Sequence, residues 1–80
     1  MRIVGEIPHP AFKITLMSWN NRYLIKIEQG LLEQTFKLNQ FDITGEDDLT
    51  ALLDEQFLAE CLHRFAEMNS SFQAAMARIS

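Results

Sequence analysis

The residues best suited to chemistry stand close together in the last third of the chain. Cys61 is the only cysteine, and His63 has Glu60 three positions before it and Glu67 four positions after it. Residues spaced by three or four share one face of a helix, whereas residues spaced by two do not. Cys61 and His63 would therefore diverge, and a buried structural thiol is the preferred interpretation of Cys61. His63, Glu60 and Glu67 could share a face, where a metal or acid–base site would still need a further ligand.

The other polar motifs are better explained as structure than as sites. An acidic segment has calcium-type ligands, but Gly45 stands fourth from Asp42, whereas an EF-hand requires a glycine at the sixth position. The three glycines are isolated, so no phosphate-binding loop is expected. His9 lies between two prolines and is interpreted as a bend residue. We therefore expect no catalytic residue, no metal ligand and no cofactor.

Composition and charge narrow the class of protein. The chain has 80 residues, a length that favours one small domain. Within it we expect a β-meander over 1–41 and a helical half over 42–80. The net charge is −4. Residues 1–41 carry five basic and three acidic side chains, whereas residues 42–80 carry two and eight. The overall acidity argues against a nucleic-acid partner. No segment has the apolar length of a signal peptide or a membrane span, so we expect a cytoplasmic protein without membrane contact.

Alternating apolar residues from Ala11 to Leu38 predict an antiparallel meander. A turn at Asn20-Asn21 would pair Trp19 with Arg22 and Lys13 with Glu28. A second turn at Gln29-Gly30 would place Lys26 opposite Glu33, and would place Arg22 opposite Lys37 as an unfavourable like-charge pair. Residues 2–7 could add an edge strand that ends at Pro8. One face of the sheet is then apolar and includes Gln34, which would need a hydrogen-bond partner; the apolar members are Phe12, Ile14, Leu16, Tyr23, Ile25, Ile27, Leu32 and Phe36.

The pattern changes to helical after Phe41. Thr44 and the acidic residues after it predict a short helix that begins near Asp47, and Asp54 could either continue that helix or cap a new one. A stripe spaced by three and four then runs to the end of the chain: Leu58, Cys61, Phe65, Met68, Phe72, Ala75 and Ile79. One helix over residues 55–79 would be about 37 Å long, which exceeds the roughly 27 Å of an eight-residue strand. Asn69-Ser70-Ser71 is the point at which this helix could break.

These features predict an α+β fold: an antiparallel meander of three or four strands followed by one short and one long C-terminal helix packed on one sheet face. A core this small usually gains stability from association, and an overlong helix leaves an apolar stripe without cover. We therefore expect a non-catalytic interaction or structural module, a homodimer or a protein that binds a protein partner. The alternative is a small enzyme or metal-binding protein with a site assembled between subunits around His63, Glu60 and Glu67. The predicted interface residues are Met68, Phe72, Ala75, Met76 and Ile79 on the helix, and Met17, Trp19 and Leu24 on the second sheet face.

Overall fold

A computed structural model describes all 80 residues of the chain. Four strands form one antiparallel sheet in the order β1-β2-β3-β4, with β1 at Arg2–Pro8, β2 at Lys13–Trp19, β3 at Arg22–Gln29 and β4 at Leu32–Asn39. A 3₁₀ turn at Gln40–Asp42 leads to two helices, α1 at Asp47–Leu52 and α2 at Glu55–Arg78. The predicted α+β fold is confirmed, with the meander in its four-stranded form.

The first tight hairpin has the predicted register. Asn20 and Asn21 have φ angles of 51° and 60°, the positive values that a type I′ turn requires at both central residues. The pairs run from Trp19 opposite Arg22 to Lys13 opposite Glu28. Asparagine tolerates this backbone region better than most residues, and the turn therefore sets which face of β2 and β3 becomes buried.

The second hairpin differs from the prediction by two residues. Its loop is Gly30-Leu31 instead of Gln29-Gly30, so Gln29 pairs with Leu32. Gly30 has a φ of +59° and Leu31 does not have a positive φ, which fits a type II′ turn with glycine at the first central position. Glycine takes that position because it has no Cβ to oppose a positive φ. The predicted loop would have imposed a positive φ on Gln29. A shift of two keeps every side chain on its predicted face.

The shift changes the charge pairs on the outer face of the sheet. Arg22 lies opposite Asn39, so the predicted Arg22–Lys37 pair is wrong, and Lys26 lies opposite Thr35 instead of Glu33. Glu28 and Glu33 are now directly opposite. The Nζ of Lys26 is 3.7 Å from a Glu28 carboxylate oxygen and 4.0 Å from one of Glu33, which offsets the repulsion between the two glutamates.

The first strand is irregular and ends in a bend. Its pairing with β2 shifts between Ile3 and Gly5, a β-bulge that turns Val4 toward the core. After Pro8, the ring Nδ1 of His9 accepts a hydrogen bond from the Ala11 N–H at 3.0 Å, and the His9 ring stacks on Phe12 with centroids 4.7 Å apart. His9 is thus a bend residue, as predicted.

An aspartate side chain makes hydrogen bonds at the start of each helix. The Asp48 carboxylate accepts hydrogen bonds from the N–H and Oγ1 of Thr44, at 2.9 and 2.8 Å, and closes the loop into α1. Asp54 accepts from the Phe57 N–H at 2.8 Å and is the N-cap of α2. This cap settles the boundary that the sequence left open.

The core lies between the helices and the face of the sheet that the alternation predicted. Ile14 and Ile27, opposite each other on β2 and β3, are almost fully buried. Phe65 of α2 packs against Phe12, with ring centroids 5.6 Å apart. The buried cluster comprises Phe12, Ile14, Leu16, Ile25, Ile27, Leu49, Leu53, Cys61 and Phe65.

The long helix runs without a break through Asn69, Ser70 and Ser71. Its 24 residues span about 36 Å, which is longer than any strand of the sheet. Only Cys61 and Phe65 of α2 are fully buried. The C-terminal part of α2 therefore extends past the sheet, as its predicted length implied.

Candidate functional site

Gln34 joins the edge strand β4 to α2. Its side chain is buried, its Nε2 donates to the Cys61 carbonyl oxygen at 2.9 Å, and its Oε1 accepts from Arg64 Nη1 at 3.4 Å. The buried amide thus has partners for both of its polar atoms, as the sequence required. These bonds hold the first half of α2 over β4.

Cys61 is fully buried beside this contact. Burial raises the pKa of its thiol, and Arg64, whose Nη1 is 3.5 Å from Sγ, opposes that shift without cancelling it. A protonated, inaccessible thiol is a poor nucleophile. The structure does not bring the exposed His63 to it, so no thiol–imidazole pair forms.

The polar face of α2 brings His63 and Glu67 together. The His63 Nε2 is 3.5 Å from a Glu67 carboxylate oxygen, and both side chains are largely exposed. Glu60 lines the same shallow depression. Nowhere in the chain do three or more His, Cys, Asp or Glu residues cluster so that they could hold a metal ion. A metal site built on these residues would need ligands from a second molecule.

The apolar stripe of α2 continues past the sheet and becomes exposed. Phe72 is 55% exposed, Met76 is 46% exposed and Ile79 is 79% exposed, whereas Met68 and Ala75 are half-buried. We call these five residues the overhang stripe. They lie on the same side of α2 as the buried Cys61 and Phe65. Met68 still packs against the core, whereas Phe72, Met76 and Ile79 remain largely exposed.

Two depressions flank the base of the overhang stripe. The larger, of about 900 Å³, lies between the β4 edge and α2, and its lining is Leu32, Gln34, Thr35, Phe36, Arg64, Glu67, Met68, Ser71, Phe72 and Ala75. The smaller, of about 640 Å³, lies beside the Gly30-Leu31 loop. Phe72 lines both depressions. We call the larger one the β4–α2 groove.

The second face of the sheet carries a separate apolar row. Met17 is half-buried, Trp19 is exposed and Leu24 is buried. Ile3, which no pattern in the sequence placed on this face, is exposed and lies opposite Met17, which in turn lies opposite Leu24. Only the pairing of β1, set by its bulge, reveals that Ile3 belongs to this row.

Leu31 and Phe41 are further exposed apolar residues that the sequence patterns did not predict. Leu31 is fully exposed because the second hairpin loop includes it, and Phe41 is 88% exposed in the 3₁₀ turn after β4. Leu62 lines the smaller depression beside Phe72. A loop at Gly30-Leu31 would have predicted that Leu31 is exposed. No pattern in the sequence indicated that Phe41 is exposed.

The candidate site is therefore a set of apolar surfaces around the overhang of α2 and the β4 edge. None of the helices combines the length and the apolar character that a membrane crossing requires. Comparisons with protein-family models, with curated proteins and with solved structures found no match to this chain.

Proposed function

We propose that this protein is a non-catalytic interaction module that associates with a second copy of itself. The observation that carries the proposal is the overhang stripe, in which Phe72, Met76 and Ile79 remain exposed on an unbroken helix. Large apolar side chains clustered on one exposed face mark a surface that is covered by another molecule.

The composition of the overhang supports a second copy as that molecule. No charged residue occurs from Met68 to Ala77, so a second copy can cover this face without burying an unpaired charge. Large side chains such as Phe72 alternate with the small Ala75, which suits close packing against apolar side chains of the second copy. In a two-fold pair each copy covers the same surface of the other, so this apolar face is covered in both chains.

The size of the core supports association as well. Only 12 of the 80 residues are buried, and a core this small supplies little stability. Burying one Phe side chain contributes roughly 1.5–3 kcal/mol. Because Phe72 is 55% exposed, covering it fully in each of two copies would add roughly 1.5–3 kcal/mol in total to the dimer.

Sedimentation equilibrium of the whole chain over a range of concentrations tests the proposal. We expect a dimer at micromolar concentration, and we expect Phe72→Glu to shift it to monomer or to unfold it. Ser70→Glu is the matched control, because it adds the same charge two residues away, outside the stripe. A wild-type chain that remains a normally melting monomer at high-micromolar concentration would overturn the proposal.

The competing function is a metal or acid–base site assembled between subunits around His63, Glu60 and Glu67. Its metal-binding form makes a different prediction, because protein purified without a chelator would then contain stoichiometric metal, and His63→Ala would remove it. A metal-free dimer supports the interaction module.

A further inference from the structure

The β4 strand forms an edge of the sheet whose outward backbone groups are unpaired. The Gln40 N–H donates to the Asn21 carbonyl at 3.0 Å, in line with the β3–β4 register. Because hydrogen-bonded and non-bonded pairs alternate in an antiparallel ladder, the even-numbered residues of β4 bond to β3. The N–H and C=O groups of Glu33, Thr35 and Lys37 therefore point away from the sheet.

The two edges of the sheet differ in their protection. β1 contains a bulge between Ile3 and Gly5 and ends at Pro8, two features that discourage pairing with another strand. β4 has neither glycine nor proline, and its register with β3 is unbroken over eight pairs. A regular, unprotected edge is a template for an added strand.

We propose that β4 pairs antiparallel with β4 of a second copy about a two-fold axis at Thr35, forming a continuous eight-stranded sheet. This inference rests on the proposed self-association. It identifies β4 as the strand through which the two copies pair. In this register Glu33 of each copy lies opposite Lys37 of the other, so the axis generates two opposite-charge pairs. Lys37 is exposed and makes no ion pair within its own chain.

The neighbouring two-fold registers lack this complementarity. An axis at Gln34 or at Phe36 pairs Glu33 and Lys37 with uncharged residues. An axis at Glu33 sets two glutamates opposite each other, and an axis at Lys37 sets two lysines opposite each other, which is unfavourable. Of the registers that match the outward backbone groups, the axis at Thr35 alone gives two opposite-charge pairs.

The β4–α2 groove provides room for the added strand. It lies beside the β4 edge under the outer side of α2, where an added strand would place its core-facing side chains. Phe36 of the second copy would then stand opposite Gln34, and Leu38 of the second copy opposite Leu32. These apolar side chains suit a groove that is lined by Leu32, Phe36 and Met68.

The same pairing gathers the exposed apolar residues at one end. Antiparallel strands bring the end of the second copy's β4 beside the start of β4, which is the end where α2 extends past the sheet. Phe41 of the second copy follows that strand after one residue and is 88% exposed in the isolated chain. The pairing therefore places Phe41 of one copy at the same end of the sheet as the overhang stripe of the other.

Cysteine cross-linking of the whole chain tests the register. In the proposed pair the two Thr35 Cα atoms are about 5.5 Å apart, within the range of a disulfide, whereas the two Glu33 Cα atoms are roughly 14 Å apart. Under mild oxidation Thr35→Cys is expected to form at least tenfold more covalent dimer than Glu33→Cys or Lys37→Cys. The wild-type chain is the blank, because its Cys61 is fully buried.

A charge exchange provides the second measurement. Glu33→Lys alone is expected to raise the dissociation constant about tenfold, because two opposite-charge pairs become like-charge pairs. Adding Lys37→Glu restores the pairs and should return the constant to within about twofold of wild type. Glu6→Lys, the same change at the exposed β1 edge, is the matched control and should change the constant less than twofold.

The outcomes separate this inference from the proposed function. A dimer in which Thr35→Cys does not cross-link preferentially, or in which the double variant is no better than Glu33→Lys, overturns the β4 pairing and leaves self-association standing. Preferential cross-linking of Glu33→Cys or Lys37→Cys overturns the axis at Thr35. A wild-type chain that sediments only as a monomer overturns both.

Discussion

The side-chain amide of Gln34 donates a hydrogen bond of 2.9 Å to the backbone carbonyl of Cys61, 27 residues further along the chain. This bond crosses from the edge strand of the sheet to the long helix in a buried setting. Arg64 reaches the other atom of the same amide. The position of α2 over β4, and with it the shape of the β4–α2 groove, depends on this polar contact within an otherwise apolar layer.

Gln34→Ala is expected to destabilise the protein by about 1–3 kcal/mol, because it removes the donor to Cys61 and leaves a space in the core. Urea denaturation at fixed protein concentration measures the change. Gln56→Ala, at an exposed position in the first turn of α2, is the control and should change the free energy of unfolding by less than about 0.5 kcal/mol. Equal effects from the two variants would show that the Gln34 bond does not secure the helix.

Gly30→Val is expected to lower the free energy of unfolding by about 1 kcal/mol or more. Gly30 has a φ of +59°, a region that a β-branched residue strongly disfavours. An added Cβ would meet no atom within 4 Å, so the effect tests backbone conformation and not crowding. Gly45→Ala is the control, because Gly45 also has open space around it but lacks a positive φ. A Gly30→Val variant that melts as wild type does would contradict the turn geometry.

Asp48 makes the start of α1 sensitive to acid. The two hydrogen bonds from Thr44 lower the pKa of the Asp48 carboxyl. The bond from the backbone N–H lowers the pKa more than the bond from the side-chain hydroxyl. A pKa that is lower in the folded state stabilises the protein at pH values above the unfolded pKa. That stabilisation is lost as the pH falls through the folded value.

Asp48→Asn should therefore be less stable than wild type at neutral pH, and the difference should shrink on acidification. Thermal melts between neutral and acidic pH measure it. Asp47→Asn is the control, since the structure gives the Asp47 side chain no hydrogen bond. A difference between Asp48→Asn and wild type that does not depend on pH would count against this role of the carboxylate.

Local chemistry made much of the sheet predictable. The pair Asn20-Asn21 accepts positive φ, so the first hairpin had one favourable loop and its register followed by counting. The second hairpin offered two loops that both contain Gly30 and bury the same faces. Alternation could not separate them, because a shift of two residues leaves each side chain on its own face. The strain of positive φ at Gln29 decided the register, and with it the exposure of Leu31 and the charge pairs of Lys26.

The sequence by itself determined the two periodicities, the buried face of the sheet, the need of Gln34 for a partner and a final helix too long for its strands. These follow from near neighbours in the chain, within one turn or one hairpin. Tertiary structure alone decided that the Cys61 carbonyl satisfies Gln34, that β4 is a regular open edge while a bulge protects β1, and that Phe41 is exposed. Such features depend on how residues far apart in the chain are packed against one another, which spacing along the sequence does not encode.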